Sequence, residues 1–193
     1  HINDGSSDLL RSILVHKGFL VLSDRHFVMP YNMILRHCDA LVKQMTVYAR
    51  ALARLTVREL AEGVCEKKHF HPANTVLSAL LRIEWLYAKV QGPFMKVDEQ
   101  KCIRCGACAA QCPVHNITMT KGKVRMGHSC ALCVRCSFNC PADAISLGLL
   151  NGWKVNGAYN FERIMSDNDL PFPFISDKTK GGYRIYKKYY REL

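Results

Sequence analysis

Apolar side chains recur with helical spacing over two long stretches of the chain. From Ile34 to Leu55 they lie three or four residues apart, and residues 76–90 repeat the pattern. This spacing puts the apolar residues on one face of a helix, so we predict two long amphipathic helices. Gly92 and Pro93 end the second of them, because neither residue continues a helix well.

A shorter helix is predicted upstream, over residues 8–17, and Gly18 ends it. The apolar residues of 19–22 and 27–28 predict two strands, and residues 29–32 predict a loop. An order of helix, strand, loop and helix is typical of an α/β layer.

Eight of the ten cysteines form two runs with the same spacing, Cys-x2-Cys-x2-Cys-x3-Cys-Pro, 28 residues apart. The first run contains Cys102, Cys105, Cys108, Cys112 and Pro113, and the second contains Cys130, Cys133, Cys136, Cys140 and Pro141. The match continues beyond the cysteines, because Ile117 corresponds to Ile145 and Met119 to Leu147 at the same spacing. The chain therefore contains an internal duplication.

This spacing indicates iron–sulfur chemistry. Three thiolates at two-residue intervals can hold three corners of an iron–sulfur cube. Structural zinc favours separated Cys-x2-Cys pairs, which two unbroken four-cysteine runs fit poorly. Leu132, Val134 and Phe138 make the second loop bulkier than the first, so we expect its metal group to be drier.

Residues 92–150 resemble a bacterial two-cluster ferredoxin, because all eight ligand positions of that family are present. In the family, the fourth cysteine of each run binds the cluster of the other run. The resemblance implies two [4Fe–4S] clusters. Cluster 1 would be held by Cys102, Cys105, Cys108 and Cys140, and cluster 2 by Cys112, Cys130, Cys133 and Cys136.

The same resemblance implies a ferredoxin-like βαββαβ module that passes single electrons between redox partner proteins. Its strands are expected near residues 94–97, 117–119, 123–126 and 144–147, with a hairpin turn at 120–123.

Residues 1–91 resemble the closing half of a flavodoxin-like α/β domain, as in flavodoxin–ferredoxin fusion proteins. The segments that carry the resemblance are residues 9–14, 17–19 and 28–32 with the two long helices, and residues 150–159 resemble that family's extension. The resemblance implies an α+β fold with a partial flavodoxin-like region at 1–91, a two-cluster domain at 92–150 and a C-terminal extension at 151–193.

The flavin site of that family is expected to be missing. Flavodoxins bind the FMN phosphate with a Ser/Thr/Gly-rich loop after the first strand, and no such strand and loop precede Asp8. We interpret the chain as truncated at its N-terminus and expect no FMN to bind these 193 residues.

Smaller features change this interpretation little. Cys38 lies on the apolar face of the first long helix and is expected to be a buried thiol. Cys65, His69 and His71 lack a fourth ligand, so we expect no metal there. Arg104 and Arg135 stand between ligands; they either offset cluster charge, meet an acidic partner or are solvated.

The charge invites a test for nucleic-acid binding, since 27 Lys and Arg face 16 Asp and Glu and the formal net charge is +11. The basic residues are spread along the whole chain, and the tyrosines of residues 181–191 are expected to pack on the domain, so we expect no nucleic-acid partner. No apolar run reaches the about 20 residues of a membrane helix. Ten cysteines without an export signal indicate a reducing compartment, and we expect a cytoplasmic protein.

Three functions remain open from the sequence. The leading one is an iron–sulfur electron-transfer protein with two [4Fe–4S] clusters. The second is the electron-transfer component of a flavin-dependent oxidoreductase, with its flavin on another part or a partner. The third is a zinc-stabilised nucleic-acid-binding module.

Overall fold

A computed structural model describes residues 6–65, 88 and 90–190. Its helices and strands mix along the chain, and the fold is α+β. In chain order they are α1 (Ser6–His16), α2 (Asp39–Ala61), β1 (Lys96–Val97), α3 (Ala107–Ala110), β2 (Ile117–Thr120), β3 (Lys123–Met126), α4 (Arg135–Phe138), β4 (Ile145–Ser146) and α5 (Phe161–Ser166). Short 3₁₀ helices cover Gly92–Phe94, Gly148–Trp153 and Gly181–Tyr189.

The chain divides into two compact units. The helical unit takes the described residues of His1–Met29, Cys38–Arg82 and Phe161–Leu193, and the cysteine unit takes those of Pro30–His37 and Ile83–Asn160. Every strand of the described chain lies in the cysteine unit.

Two small antiparallel sheets frame the cysteine unit. β1 pairs with β4, and β2 pairs with β3. Lys121 and Gly122 connect β2 to β3 with φ values of 49° and 74°, which suits a two-residue hairpin turn because its twist matches that of the strands. The turn confirms the one predicted at residues 120–123, and the strands overlap all four predicted segments.

The core of the cysteine unit lies between these sheets and the cysteine loops. Its buried members are Met95, Ile117, Val134, Cys136, Ile145 and Leu147, all at most 9% exposed. Cysteines of both runs pack against this core, so the apolar residues that stabilise the fold also surround the thiols.

Residues 30–37, which we call the strap, belong to the cysteine unit although they lie far from it in sequence. Met33 forms a β-bridge with Lys154, and the Ile34 N–H donates to the Trp153 carbonyl at 2.7 Å. At the end of the strap the His37 N–H donates to the Tyr159 hydroxyl at 2.9 Å. The hydroxyl donates in turn to the Tyr31 carbonyl at 3.1 Å.

The helical unit is organised by the first half of α2. Leu41 and Met45 are fully buried against Ile175 and Tyr186. Gln44 is buried beside them, and its side chain accepts from the Ile175 N–H at 2.6 Å and donates to the Ile175 carbonyl at 3.1 Å. These paired hydrogen bonds satisfy a buried amide that would otherwise destabilise the core.

The tyrosine-rich tail also packs in the helical unit. Tyr186 is 4% exposed within the core, and the rings of Tyr48 and Tyr190 meet edge to face with centroids 4.6 Å apart. Burial raises the pKa of Tyr190 strongly. The predicted packing is confirmed for Tyr186 and Tyr190, whereas Tyr183 is 40% exposed.

Several predictions for the N-terminal region need correction. The predicted helix over residues 8–17 is confirmed as α1, and Gly18 follows it with a φ of 84°. The strands predicted at residues 19–22 and 27–28 are wrong, because neither segment pairs with another strand. The predicted helix from Ile34 begins only at Asp39, since Ile34 has a φ of 74° and ends up in the strap.

Cys38 is exposed at the N-cap of α2, so its predicted burial is wrong. The second predicted helix, over residues 76–90, falls almost wholly outside the described residues. Among the helices that the structure does describe, none is long and apolar enough to cross a membrane.

Candidate metal centres

Two cavities in the cysteine unit are each lined by four cysteines. The first cavity encloses about 360 Å³, part of it open to solvent, and its cysteines are Cys102, Cys105, Cys108 and Cys140. Three of these come from the first run and the fourth from the second run.

The second cavity mirrors this arrangement. It encloses about 410 Å³, and its cysteines are Cys112, Cys130, Cys133 and Cys136. Three of these come from the second run and the fourth from the first run. The folded chain thus brings together the same two crossed sets that the resemblance implied.

The duplication extends to the backbone conformation of the loops. Left-handed residues occur at Arg104 and Gly106 in the first loop, and 28 residues later at Leu132 and Val134. Their φ values are 58°, 73°, 51° and 50°. A left-handed residue changes the direction of the backbone, which lets successive cysteines of a short loop face the same cavity. Gly106 adopts this conformation without cost, whereas β-branched Val134 is strained there.

The last cysteine of each run receives a backbone hydrogen bond from four residues on. The Asn116 N–H donates to Cys112 Sγ at 3.2 Å, and the Ala144 N–H donates to Cys140 Sγ at 3.3 Å. Such donors orient the sulfur of a metal ligand and tune the group that it holds.

Helices α3 and α4 separate the two cavities and lie against each other. At their C-terminal ends the Asn139 amide donates to Gln111 Oε1 at 2.6 Å. Gln111 precedes Cys112 and Asn139 precedes Cys140, so this bond joins the crossover points of the two runs. Electrostatic repulsion from Cys108 contributes to raising the pKa of Cys136 in the neighbouring cavity, as expected for two adjacent sites.

The two sites differ in burial. Cys136 is 9% exposed, and burial, with a smaller contribution from the thiols of Cys130 and Cys133, raises its pKa to about 12. Burial raises the pKa of Cys108 in the first cavity as well, but Cys108 remains half-buried. The second site is the more enclosed at this position, in agreement with its bulkier loop.

The lining of both cavities fits an iron–sulfur cube better than a single ion. Apart from the thiols it is almost wholly apolar, and neither lining includes a carboxylate or an imidazole. Within the described ranges, no three His, Cys, Asp or Glu side chains converge closely enough to hold one metal ion. Zinc would need its four sulfurs about 2.3 Å from one centre, whereas a cube spreads its four ligands over four irons.

Two side chains that the sequence did not single out hold the backbone of the second cysteine run. Asn32 of the strap donates to the Cys133 carbonyl at 3.3 Å. Asn156 donates to the carbonyls of Ser137 and Cys140, each at 2.9 Å. These hydrogen bonds join residues that are far apart in sequence or lie in irregular backbone, and no local sequence motif predicts them.

Of the other candidate residues that the structure describes, Arg135 lines the second cavity, whereas Cys38, Cys65 and Arg104 line neither cavity. Cys65 is exposed, and its predicted neighbours His69 and His71 fall outside the described residues, so the interpretation of that group stays a prediction. Arg104 and Arg135 are both exposed.

Comparison with known proteins gives an independent indication of what these cavities hold. Residues 95–118 match the family described as 4Fe-4S binding domain. "Putative oxidoreductase AegA" of Escherichia coli (strain K12) is 40% identical over 65 residues, which is 28% of this chain and 10% of that protein. No solved structure matches the chain. Residues 95–118, which contain the first cysteine run, are therefore similar to a 4Fe–4S binding domain.

Proposed function

We propose that the protein is an electron carrier with two [4Fe–4S] clusters, one in each cavity. Cys102, Cys105, Cys108 and Cys140 hold the first cluster, and Cys112, Cys130, Cys133 and Cys136 hold the second. The observation that carries the proposal is the crossed sharing of cysteines, in which each cavity takes three thiols from one run and one from the other.

Each cluster supplies one-electron redox chemistry when bound. The protein contributes the thiolates, the apolar lining that limits water, and backbone N–H groups directed at sulfur. Because burial and hydrogen bonds to sulfur set the potential of a cluster, the unequal burial of the two sites favours different potentials.

A second candidate is an electron-transfer component of a larger oxidoreductase. It is favoured by the similarity to the Escherichia coli protein, in which the matched region is 10% of the length. On this hypothesis the clusters serve a flavin or substrate site elsewhere, and a flavodoxin-like origin for residues 1–91 with no FMN in this chain remains part of the proposal. The zinc-stabilised nucleic-acid module is disfavoured because, within the described ranges, no three possible ligands converge on one metal ion.

Single cysteine-to-alanine variants test the crossed assignment. If the sets are crossed, Cys112→Ala and Cys130→Ala each lose the second cluster and leave the same residual EPR spectrum after anaerobic reduction. Cys140→Ala and Cys102→Ala share the other spectrum. Alanine is used because serine oxygen can replace sulfur as an iron ligand.

Cys38→Ala is the matched control, because this cysteine is exposed and lies outside both cavities. It should keep both clusters. If Cys112→Ala instead matches Cys102→Ala, each run holds its own cluster and the crossed assignment is wrong.

A further inference from the structure

Five exposed basic side chains lie on two segments that contribute to the lining of the first cavity, its cysteine loop and the β2–β3 hairpin. We call this surface the basic rim; its members are Lys101, Arg104, Lys121, Lys123 and Arg125. Arg104 reaches the hairpin turn, because its Cδ lies 3.9 Å from the position of a β-carbon built on Gly122. Lys123 and Arg125 alternate along β3 with half-buried residues, so both lie on the outward face of the strand.

The positive charge of the rim is largely uncompensated. Lys123 lies 3.7 Å from Glu99, and both side chains are well exposed, so this pair contributes little. The other four rim residues form no ion pair within the described part of the chain. A cluster of unpaired cations on one face raises the local potential and attracts anions.

The internal duplication supplies a control for the meaning of this charge. Lys101 and Arg104 correspond to Ser129 and Leu132, 28 residues later. The second loop carries one cation of its own, Arg135, which lines the second cavity and stands where the first loop has Ala107. The first loop therefore has two cations against one in the second, and the β2–β3 hairpin adds three more. This excess of positive charge at the first site indicates a function at that surface.

An exposed edge of the first cavity adjoins the rim residues of the cysteine loop. Cys105 is exposed, and the apolar side chain of Ile103 is 64% exposed; both line the cavity. An apolar centre with a charged border is the usual composition of a protein–protein interface.

We propose that the basic rim docks an acidic face of a redox partner protein over Ile103 and Cys105, and that electrons enter or leave through the first site. This inference rests on the proposed function. A cluster held by Cys102, Cys105, Cys108 and Cys140 would exchange one electron with the partner at each encounter; the donor would be oxidised by one electron and the acceptor reduced by one. No bond forms or breaks, and no proton is required.

Binding of a defined acidic probe tests the proposal directly. The probe is a flavodoxin of net negative charge, and its Kd is measured by calorimetry from about 0.01 M to about 1 M salt, because the Debye length falls over that range from about 30 Å to about 3 Å. We expect tight binding at low salt and at least tenfold weaker binding at high salt.

The variant K101S/R104L replaces the two rim residues with those of the second repeat and should weaken low-salt binding about tenfold. K121Q/R125Q, which changes the hairpin and leaves the cysteine loop intact, should do the same. R50Q/R54Q is the matched control, because it removes two exposed cations from α2 and should leave the Kd unchanged.

Iron and sulfide are counted on every sample before binding is measured. Their absence from the wild type contradicts the proposed function, whereas intact clusters with unchanged binding in both rim variants overturn the docking proposal alone. An oligonucleotide of deoxythymidine that binds more tightly than flavodoxin, and loses affinity in the same variants, also overturns it in favour of a nucleic-acid partner.

Discussion

Leu147→Ala should release the second cluster selectively. Leu147 is 1% exposed and forms part of the wall of the second cavity. Its counterpart in the first repeat, Met119, is 39% exposed. Truncating a fully buried leucine costs about 2–5 kcal/mol, because apolar contacts are lost and a cavity is left.

The expected effect follows from that free energy. If the substitution destabilises the folded wall of the second cavity by about 3 kcal/mol, the fraction of molecules in which that cavity is open rises roughly hundredfold. Met119→Ala removes a side chain that is already partly in water, so we expect a cost of about 1 kcal/mol and a change of about fivefold. The two variants delete side chains of similar size at matched positions.

The assay is the loss of visible cluster absorbance in air, combined with EPR of samples reduced at intervals. Leu147→Ala should lose about half of its absorbance in a fast phase, and the EPR signal that disappears should be the one absent from Cys130→Ala. Equal bleaching in Leu147→Ala and Met119→Ala would refute the reasoning, because burial at the second site would then not protect its cluster.

Three further predictions concern the rest of the fold. Burial lowers the pKa of His37, so the unfolded state binds a proton first and the free energy of unfolding should fall as the pH drops below about 6.5. In denaturant titrations repeated from pH 7 to pH 5, His37→Gln should flatten that decline. An unchanged decline would contradict the burial effect. Gly92→Ala should prevent stable folding, since a β-carbon would overlap the Gly127 carbonyl oxygen. Gly63→Ala is the control, because a β-carbon there meets no atom and should cost only about 1 kcal/mol for the φ of 77°. Similar yields of soluble protein from both variants would disprove the clash. Tyr186→Ala should cost about 3–5 kcal/mol of thermal stability and Tyr186→Phe far less, and equal melting temperatures for the two variants would show that this ring is not part of the core.

The candidate sites could be predicted closely because their information is local. The cysteine spacing and the prolines appear within short stretches of sequence, and the hairpin turn is announced by Lys121 and Gly122. The left-handed position at Gly106 is also one that residue type suggests. Its equivalent, Val134, is not, because a β-branched residue disfavours that conformation and only its place in the duplicated loop imposes it.

The strap could not be predicted, because its contacts are long-range. Nothing near Asn32 or Met33 in the sequence shows that they meet residues 100 or more positions away, at Cys133 and Lys154. The helical pattern beginning at Ile34 even suggested a different structure there. An apolar periodicity indicates which residues share a face, but the end of a helix also depends on such distant contacts.

The predicted strands at residues 19–22 and 27–28 failed for a related reason. A short apolar run becomes a strand only when a partner strand accepts its backbone hydrogen bonds, and these segments have none in the described chain. The resemblance of residues 1–91 to a flavodoxin-like region therefore stays a prediction, as do the domain boundaries drawn from it.

The central claim is that two four-iron clusters occupy the two cavities, and one measurement tests it most directly. The protein is purified without oxygen and assayed for iron, sulfide and zinc, and its EPR spins are counted after reduction with dithionite. We predict about eight irons and eight sulfides per chain, with two spins per chain. A colourless protein that carries zinc and gives no EPR signal would contradict the claim.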